Sequence, residues 1–452
     1  MIRDVVSLSR RLLSRGGGTL SRLQGLHPAI DRGVRIARRE LYLRRWFGAG
    51  PRRRGTSAGR CFVVINHCYD LDADAMCAAD GAHTVWVFDA FQVFVDVMAF
   101  FPPHQRDLAC VYGAGGMRES IDRYKAAFIT GFARRLRRDT GLDALITPSD
   151  TSYYIRPLIE ELHALGVPTI VQCKEGTLVS SAVTDDYMAL LKARYPPIAE
   201  QFYLWNEDHE QFWRRVGVPE HRLRTLGQPR SDFFFHRDRW PSKASMGLSE
   251  TKRLIVVFTY QANAYLSVDP KDRPWQDLRD DMHRSVIEFA RERSDVEVVI
   301  KAHPQQADLA EVVAEFSVDP LPNVTLVTGA QRAHHLMVHA DVIIGFQSTA
   351  MIEAMFTHKP LLYVGWGEHH DQLGDKLIPL FRSGGCEAPQ TRTELDRMLR
   401  LAIDGGLPPS VEMMRARKAF TDRYFFNADG HASERILETA AEFIATRRAG
   451  GA

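Results

Sequence analysis

The sequence lacks the cysteine patterns that staple small folds. Its six cysteines (Cys61, Cys68, Cys77, Cys110, Cys173 and Cys386) form no C-x-x-C pair. A structural zinc site or disulfide framework is therefore not expected, and a reducing compartment fits. No apolar run is long enough and clean enough to span a bilayer. The longest apolar region, 84–103, is interrupted by Asp89, Gln92 and Asp96, and carboxylates inside a span are costly in lipid. No apolar stretch with a small-residue cleavage site follows Met1, so no secretory signal is expected. A G-x-G-x-x-G turn between strand and helix is missing too, since Gly113–Gly116 reads Gly-Ala-Gly-Gly. His334, His335 and His339 lack the glutamate of a zinc-binding H-E-x-x-H helix. With 452 residues, the chain can bury about three quarters of its unfolded surface and needs no staple.

Lysine is missing from the first 60 residues, which carry 15 arginines against Asp4, Asp31 and Glu40, a net of +12. The chain as a whole is only +2, so the other 392 residues carry −10. That body is a poor general nucleic-acid binder. In the tail, Val5, Leu8, Leu12 and Leu13 alternate with arginines at helical spacing, and Ile36, Leu41, Leu43 and Trp46 do so further on. Basic amphipathic segments suit an anionic membrane surface; a solvated tail and an Arg-rich transit peptide share this composition.

The remaining sequence alternates strand-like and helix-like runs. Strands are expected at Cys61–Asn66, Thr84–Phe88, Ala144–Thr147, Thr169–Cys173, Phe202–Trp205 and Leu223–Leu226. A second series falls at Leu254–Thr259, Val296–Lys301, Val324–Val327, Val342–Gly345 and Leu361–Val364. Helical stretches between them include 306–316 and 349–357, and two more close the chain near 411–423 and 432–447. Alternating βα order implies parallel, doubly wound sheets. The expected division is a basic tail at 1–57, an acceptor-side Rossmann-like domain at 58–235 and a donor-side Rossmann-like domain with closing helices at 236–452. This is an α/β, GT-B-like architecture in which the two halves face a cleft.

The sharpest chemical signal is Val298-Val299-Ile300-Lys301-Ala302-His303-Pro304. An apolar strand delivers Lys301 and His303 at its carboxyl end, where parallel sheets place ligand groups. An ammonium and an imidazole there can neutralise or protonate a leaving phosphate. Asp341 to Ala354 reads as strand, turn and helix, with Ser348 and Thr349 at the helix start and Glu353 one turn in. Hydroxyls and free N–H groups at such a start suit an anion, and Glu353 suits a ribose. Gln261 and Gln347, at neighbouring strand ends, join this donor group. On the other half, Glu175 follows the strand 169–173 and is placed to take an acceptor proton. His67, after the first strand, is placed to touch the acceptor. Asp70, Asp72 and Asp74 alternate after that strand, and capping accounts for them better than metal binding does.

Four segments occur in an order that resembles a known group. They are Gly227-Gln228-Pro229-Arg230-Ser231-Asp232, Lys301-Ala302-His303-Pro304, Ser348-Thr349-Ala350 with Glu353-Ala354 and His358-Lys359-Pro360, and Asp429-Gly430-His431-Ala432-Ser433-Glu434-Arg435-Ile436. Together, over roughly residues 165–440, they resemble the CDP-glycerol glycerophosphotransferase (teichoic acid polymerase) family and its capsule-synthesis relatives. The resemblance implies a GT-B fold, a nucleotide-activated donor on the C-terminal half and no required metal or other cofactor. It assigns His303 to the donor diphosphate and Ser348 and Thr349 to phosphate oxygens. Two stretches differ. Where that family has Trp-His-Gly-Thr, this chain has Lys174-Glu175-Gly176-Thr177, which is similar to an acidic-Gly motif of sialyltransferases using CMP-linked donors. Where it has Pro-Thr-x-Arg, this chain has Thr259-Tyr260-Gln261-Ala262-Asn263.

The expected activity is transfer of a glycosyl or polyol-phosphate unit from a CDP-, CMP- or UDP-linked donor to a saccharide or lipid-linked hydroxyl acceptor. The expected place is the cytoplasmic face of the cell membrane, held peripherally by the tail. A sugar-nucleotide 2-epimerase of the same fold and a catalytically silent membrane-bound subunit are the alternatives.

Overall fold

In the computed structural model, the residues described are 53–54, 59–65, 70–79, 83–88, 100–106, 110–174, 181–263, 273–303, 306, 308–328 and 333–450. The basic tail up to residue 52, His67 and Glu175 lie outside them. The chain divides into two compact units, Met1–Gly176 with Asp185–Arg230 and His431–Ala452, and Ser231–Gly430 with Thr177–Thr184.

The first unit holds seven strands: β1 (Arg53–Arg54), β2 (Cys61–Ile65), β3 (Thr84–Phe88), β4 (Ala144–Thr147), β5 (Thr169–Gln172), β6 (Gln201–Leu204) and β7 (Leu223–Thr225). They lie in the order β1-β3-β2-β4-β5-β6-β7. All neighbours are parallel except β1, which runs antiparallel on β3. β4, β5 and β6 are buried throughout, as expected of strands covered on both faces. Side chains alternate accordingly. Val63, Ile65 and Leu145 join Tyr124, Phe128, Phe132 and Leu158 on one face. Phe62, Val64, Ala144 and Ile146 face the other.

That other face corrects one expected boundary. The last helix, Ala432–Gly450, does not stay with the second half. Its stripe of Ile436, Leu437, Ala440 and Ile444 packs with Phe62, Val64, Ile146, Ile170 and Tyr203 of the first sheet. Arg447 pairs with Glu200 at 2.9 Å and Arg448 with Asp143. Each fully buried aliphatic side chain is worth about 1.5–3 kcal/mol, so the sheet face supplies the helix's stability. Arg53 and Arg54, expected in the tail, cover the outer edge of β3 and pair with Trp86 and Val85, which blunts an exposed strand edge.

The second unit holds β8 (Arg253–Phe258), β9 (Val296–Lys301), β10 (Val324–Val327), β11 (Val342–Gly345) and β12 (Leu361–Tyr363). All neighbours are parallel, in the order β10-β9-β8-β11-β12. Two helices differ from the sequence pattern. The helix expected from 306 begins at Leu309 and ends at Ser317, because the Gln306 and Asp308 side chains bond across loops instead. The helix expected at 349–357 is α-helical only over Thr349–Glu353 and tightens to a 3-10 turn at Ala354–Phe356.

Candidate active site

From β8 the second unit's chain moves outward through β9 and β10, then returns to the far side of β8 as β11 and β12. The strand order therefore reverses between β8 and β11. Ligands of doubly wound sheets bind outside the carboxyl ends of the strands at such a reversal. Phe258 of β8 is level with Lys301 of β9 on one side and Gly345 of β11 on the other. The segments that follow these three residues, 259–261, 302–303 and 346–349, thus leave the sheet side by side. The structure brings Gln261, Lys301, His303, Ser348 and Thr349 to adjacent strand ends. A Cβ at Gly345 would lie 2.6 Å from the Met351 sulfur, so a larger residue here would displace that side chain.

Lys301 is the electrostatic anomaly of this edge. It is 6% exposed, its Nζ donates 2.8 Å to the Ala302 carbonyl, and no carboxylate pairs with it among the described residues. Burial pushes its pKa below the usual lysine value. His303, two residues on, is exposed. Its backbone N–H donates to Gln306 Oε1 at 3.2 Å. Ser348 caps its helix, its Oγ accepting from Ala350 N at 3.2 Å. Ser348, Thr349 and Gln261 are half-buried.

Two expected donor contacts are corrected. Gln347 is buried, and its amide is used inside the protein. Its Nε2 donates to Tyr363 Oη at 2.7 Å and to the Ile378 carbonyl at 3.0 Å, and its Oε1 accepts from Ile378 N at 2.7 Å. It pins the loop at Ile378 to the end of β11. Glu353 is buried at 3% exposure and its Oε2 lies 2.7 Å from His334 Nε2. A carboxylate held this way stabilises the packing of helices 333–339 and 349–353.

Sequence reasoning missed the supports of these loops. Asp308 Oδ2 accepts from Arg279 at 2.5 Å and from Ala262 N at 3.0 Å. Burial pushes the Asp308 carboxyl up, but bonds from Ala262, Gln306 and Arg279 outweigh it and hold it below the usual range. Gln306 Nε2 donates to Asp308 Oδ1 at 3.0 Å and to the Tyr260 carbonyl at 3.2 Å. Thr259 Oγ1 lies 2.8 Å from buried His283 Nε2, whose Nδ1 faces Glu315 at 3.1 Å. The signal available in the sequence was only the polar character of Gln306 and Asp308 inside an otherwise helical pattern.

In the first unit, β5 is followed by buried Cys173, whose N–H donates to the Tyr203 carbonyl at 3.0 Å. Burial, then the nearby Asp150, pushes the Cys173 thiol well above its usual range. Asp150 after β4 is fully buried and holds Ile198 N and Ala199 N at 2.7 and 3.0 Å; burial raises its pKa. Of the three acids after β2, Asp72 is bound to Arg230, whose N and Nη1 each approach it at 3.2 Å. Among the described residues no group of three or more His, Cys, Asp or Glu is placed to hold a metal. No described helix is long and apolar enough to cross a membrane.

Two parallel, doubly wound units with loops gathered at a strand-order reversal define a GT-B-like, nucleotide-binding type of protein. Residues 202–442, more than half of the chain, match the CDP-glycerol:poly(glycerophosphate) glycerophosphotransferase family model, and the chain belongs to that family. It is accordingly a transferase that uses a nucleotide-activated donor. No curated protein matches the chain. Among solved structures, it is similar to an enzyme described as a UDP-N-acetylglucosamine 2-epimerase from Listeria monocytogenes. The TM-score is 0.52 at 14% identity, over 86% of this chain and 98% of that one. A Staphylococcus aureus MnaA structure solved with UDP scores 0.50 at 13% identity, over 85% of this chain and 97% of that one. The wall teichoic acid polymerase TagF scores 0.49 at 11% identity, over 92% of this chain and 94% of that one. At these identities the first two likenesses speak to fold alone.

Proposed function

We propose that this transferase moves a glycosyl or polyol-phosphate unit from a CDP-, CMP- or UDP-linked donor to a hydroxyl of a saccharide or lipid-linked acceptor, in the synthesis of a surface polysaccharide or teichoic-acid-like polymer. The observation that carries the reading is Lys301, a buried ammonium at the strand-order reversal with no carboxylate partner among the described residues. An isolated buried charge is unfavourable until a counter-charge arrives, and a donor diphosphate supplies one. His303 next to it contacts the leaving phosphate and donates a proton or a charge-assisted hydrogen bond as the donor bond breaks. The Ser348 and Thr349 hydroxyls and Gln261 bind phosphate oxygens and the nucleotide. On the acceptor side, Glu175 takes the hydroxyl proton and His67 orients the acceptor. Positioning, charge neutralisation and proton removal are enough for such a transfer, because the nucleotide is already a good leaving group. No metal or cofactor enters this scheme. The arginine-rich tail holds the enzyme on the anionic inner face of the cell membrane.

The test is nucleotide-induced stabilisation followed by product analysis. One of CDP, CMP and UDP should raise Tm in proportion to its concentration. The matching donor should be consumed only when a hydroxyl acceptor is present. Interconversion of the donor without transfer would replace the reading by an epimerase. No stabilisation by any of CDP, CMP, UDP and GDP would replace it by a catalytically silent subunit.

A further inference from the structure

His303 is exposed and lies two residues past Lys301, the last residue of β9; the His303 carbonyl accepts from Gln306 N at 3.1 Å. The His303 backbone N–H has a defined partner in Gln306 Oε1 at 3.2 Å. Gln306 is 7% exposed, and the other end of its amide bonds in two directions. Nε2 donates to the Tyr260 carbonyl at 3.2 Å, on the loop after β8, and to Asp308 Oδ1 at 3.0 Å. Asp308 is fixed from its other oxygen by Arg279, which is 2% exposed, and by Ala262 N. Arg279 Nη1 also reaches the Tyr260 carbonyl at 3.3 Å. The buried Arg279–Asp308 pair thus orients Gln306, and Gln306 ties the loop carrying Gln261 to the loop carrying His303.

We infer that Gln306 is a positioning residue of the donor site, which sets the His303 main chain through its amide and so aims His303 at the donor phosphates. The inference rests on the reading of His303 as a phosphate contact. The chemistry of the amide is essential to it. An oxygen must face the His303 N–H while a donor faces both a carbonyl and a carboxylate, and among uncharged side chains of this length only glutamine offers both. Alanine removes all three bonds. A glutamate keeps the acceptor for His303 but sets a second carboxylate against Asp308. Two carboxylates at hydrogen-bond distance hold one shared proton, so one pKa rises above the usual range. Protonation then restores the missing donor.

The test is a double-mutant cycle on nucleotide affinity, measured by calorimetry with whichever of CDP, CMP or UDP stabilises the wild-type protein most. Folding is checked by Tm for each variant. His303→Ala alone should weaken binding about tenfold, as one charge-assisted hydrogen bond does. Gln306→Ala alone should weaken it about five- to tenfold. The double variant should bind like His303→Ala, because Gln306 acts through His303. Gln306→Glu should bind poorly at pH 8 and recover towards the wild-type value, measured at the same pH, as the pH falls to 5.5. Wild-type affinity in Gln306→Ala, or losses that multiply in the double variant, would overturn the inference while leaving the donor reading intact. Wild-type affinity in His303→Ala would overturn the donor reading itself, and the inference with it. If Gln306→Ala does not fold, the Gln306→Glu pH response decides: recovery supports the inference, and a pH-independent loss overturns it.

Discussion

Replacing Lys301 by methionine separates the electrostatics of the site from its packing. Methionine has nearly the length of the lysine stem and can fill the same buried path. In the free protein the change deletes an ammonium that is 6% exposed, has no carboxylate partner among the described residues and makes one bond, to the Ala302 carbonyl. Desolvation of such an ion costs several kcal/mol in folded proteins, whereas a hydrogen bond from a charged group returns about 1.5–3 kcal/mol. The net expectation is a free protein more stable by about 1 kcal/mol, a rise of about 2–4 °C for a unit of this size. With nucleotide the sign reverses. Losing one charge-assisted phosphate contact of about 1.5–3 kcal/mol weakens Kd roughly 10- to 150-fold. At a concentration that is 100 times the wild-type Kd, ligand stabilisation then drops from about 2.7 kcal/mol to well under 2. Melting curves with and without nucleotide should therefore cross over between the two proteins. The pH response follows from the same charge. Burial lowers the Lys301 pKa, so as pH rises its charge is lost before that of an ordinary lysine. Wild-type nucleotide affinity should fall on that alkaline limb, and the methionine variant should lack the limb. A variant that is destabilised when free, yet keeps wild-type nucleotide affinity, would refute the argument and make Lys301 a structural residue.

Three other outcomes are expected. Glu175→Gln should leave nucleotide Kd unchanged and lower kcat by about 10²–10⁴ whatever the acceptor concentration, the usual loss for a general base; near-normal kcat would move the base elsewhere. His209 is buried, accepts from Trp213 Nε1 at 3.0 Å, and burial lowers its pKa to about 3. Between that value and the unfolded value near 6.5 the unfolded chain holds the extra proton, so stability falls with acid by up to about 1.4 kcal/mol per pH unit; His209→Gln should flatten that slope in urea titrations at pH 4–6, and an unchanged slope would exclude His209 as its source. Removing residues 1–50, which spares β1, should release the protein from anionic liposomes at unchanged Tm, each well-placed basic residue contributing roughly 1 kcal/mol; equal liposome binding by both proteins would discard the membrane role.

The strands were readable because fully buried parallel strands are short apolar runs with abrupt polar ends. Ile255 to Phe258, Val298 to Ile300 and Val342 to Ile344 all lie inside β8, β9 and β11. The ends of those runs also showed which residues leave the sheet, so Lys301, His303 and Ser348 could be placed together before any contact was known. What an amphipathic stripe cannot show is its partner. Ile436, Leu437, Ala440 and Ile444 declare a buried face, but nothing local says that the face meets β2 and β4, far earlier in the chain. Polar side chains mislead for a related reason. Gln347 and Glu353 have the character of ligand contacts, yet both are satisfied internally by partners distant in sequence, Ile378 and His334. Gln306 reads as a helix residue, because its bond to the Tyr260 carbonyl is a long-range event.

The fold is shared with proteins described as 2-epimerases, so architecture alone cannot select transfer over interconversion. The selection has to come from the ends of strands, and the two units of this chain differ there. The second unit keeps a cation with no carboxylate partner among the described residues, Lys301, two residues before an exposed imidazole, His303, an arrangement that favours an anion. Three groups at strand ends of the first unit are engaged internally or buried. Asp150 after β4 is spent on Ile198 and Ala199, and the Cys173 thiol after β5 is buried and held protonated. Asp72 after β2 is spent on Arg230. None of these can accept a proton from a bound hydroxyl without breaking its own contacts or leaving the core. The base proposed for the acceptor, Glu175, is none of these groups and lies two residues past Cys173. An epimerase acting on its nucleotide sugar would need its acid and base beside the donor. A transferase needs a base beside the hydroxyl of a second substrate instead.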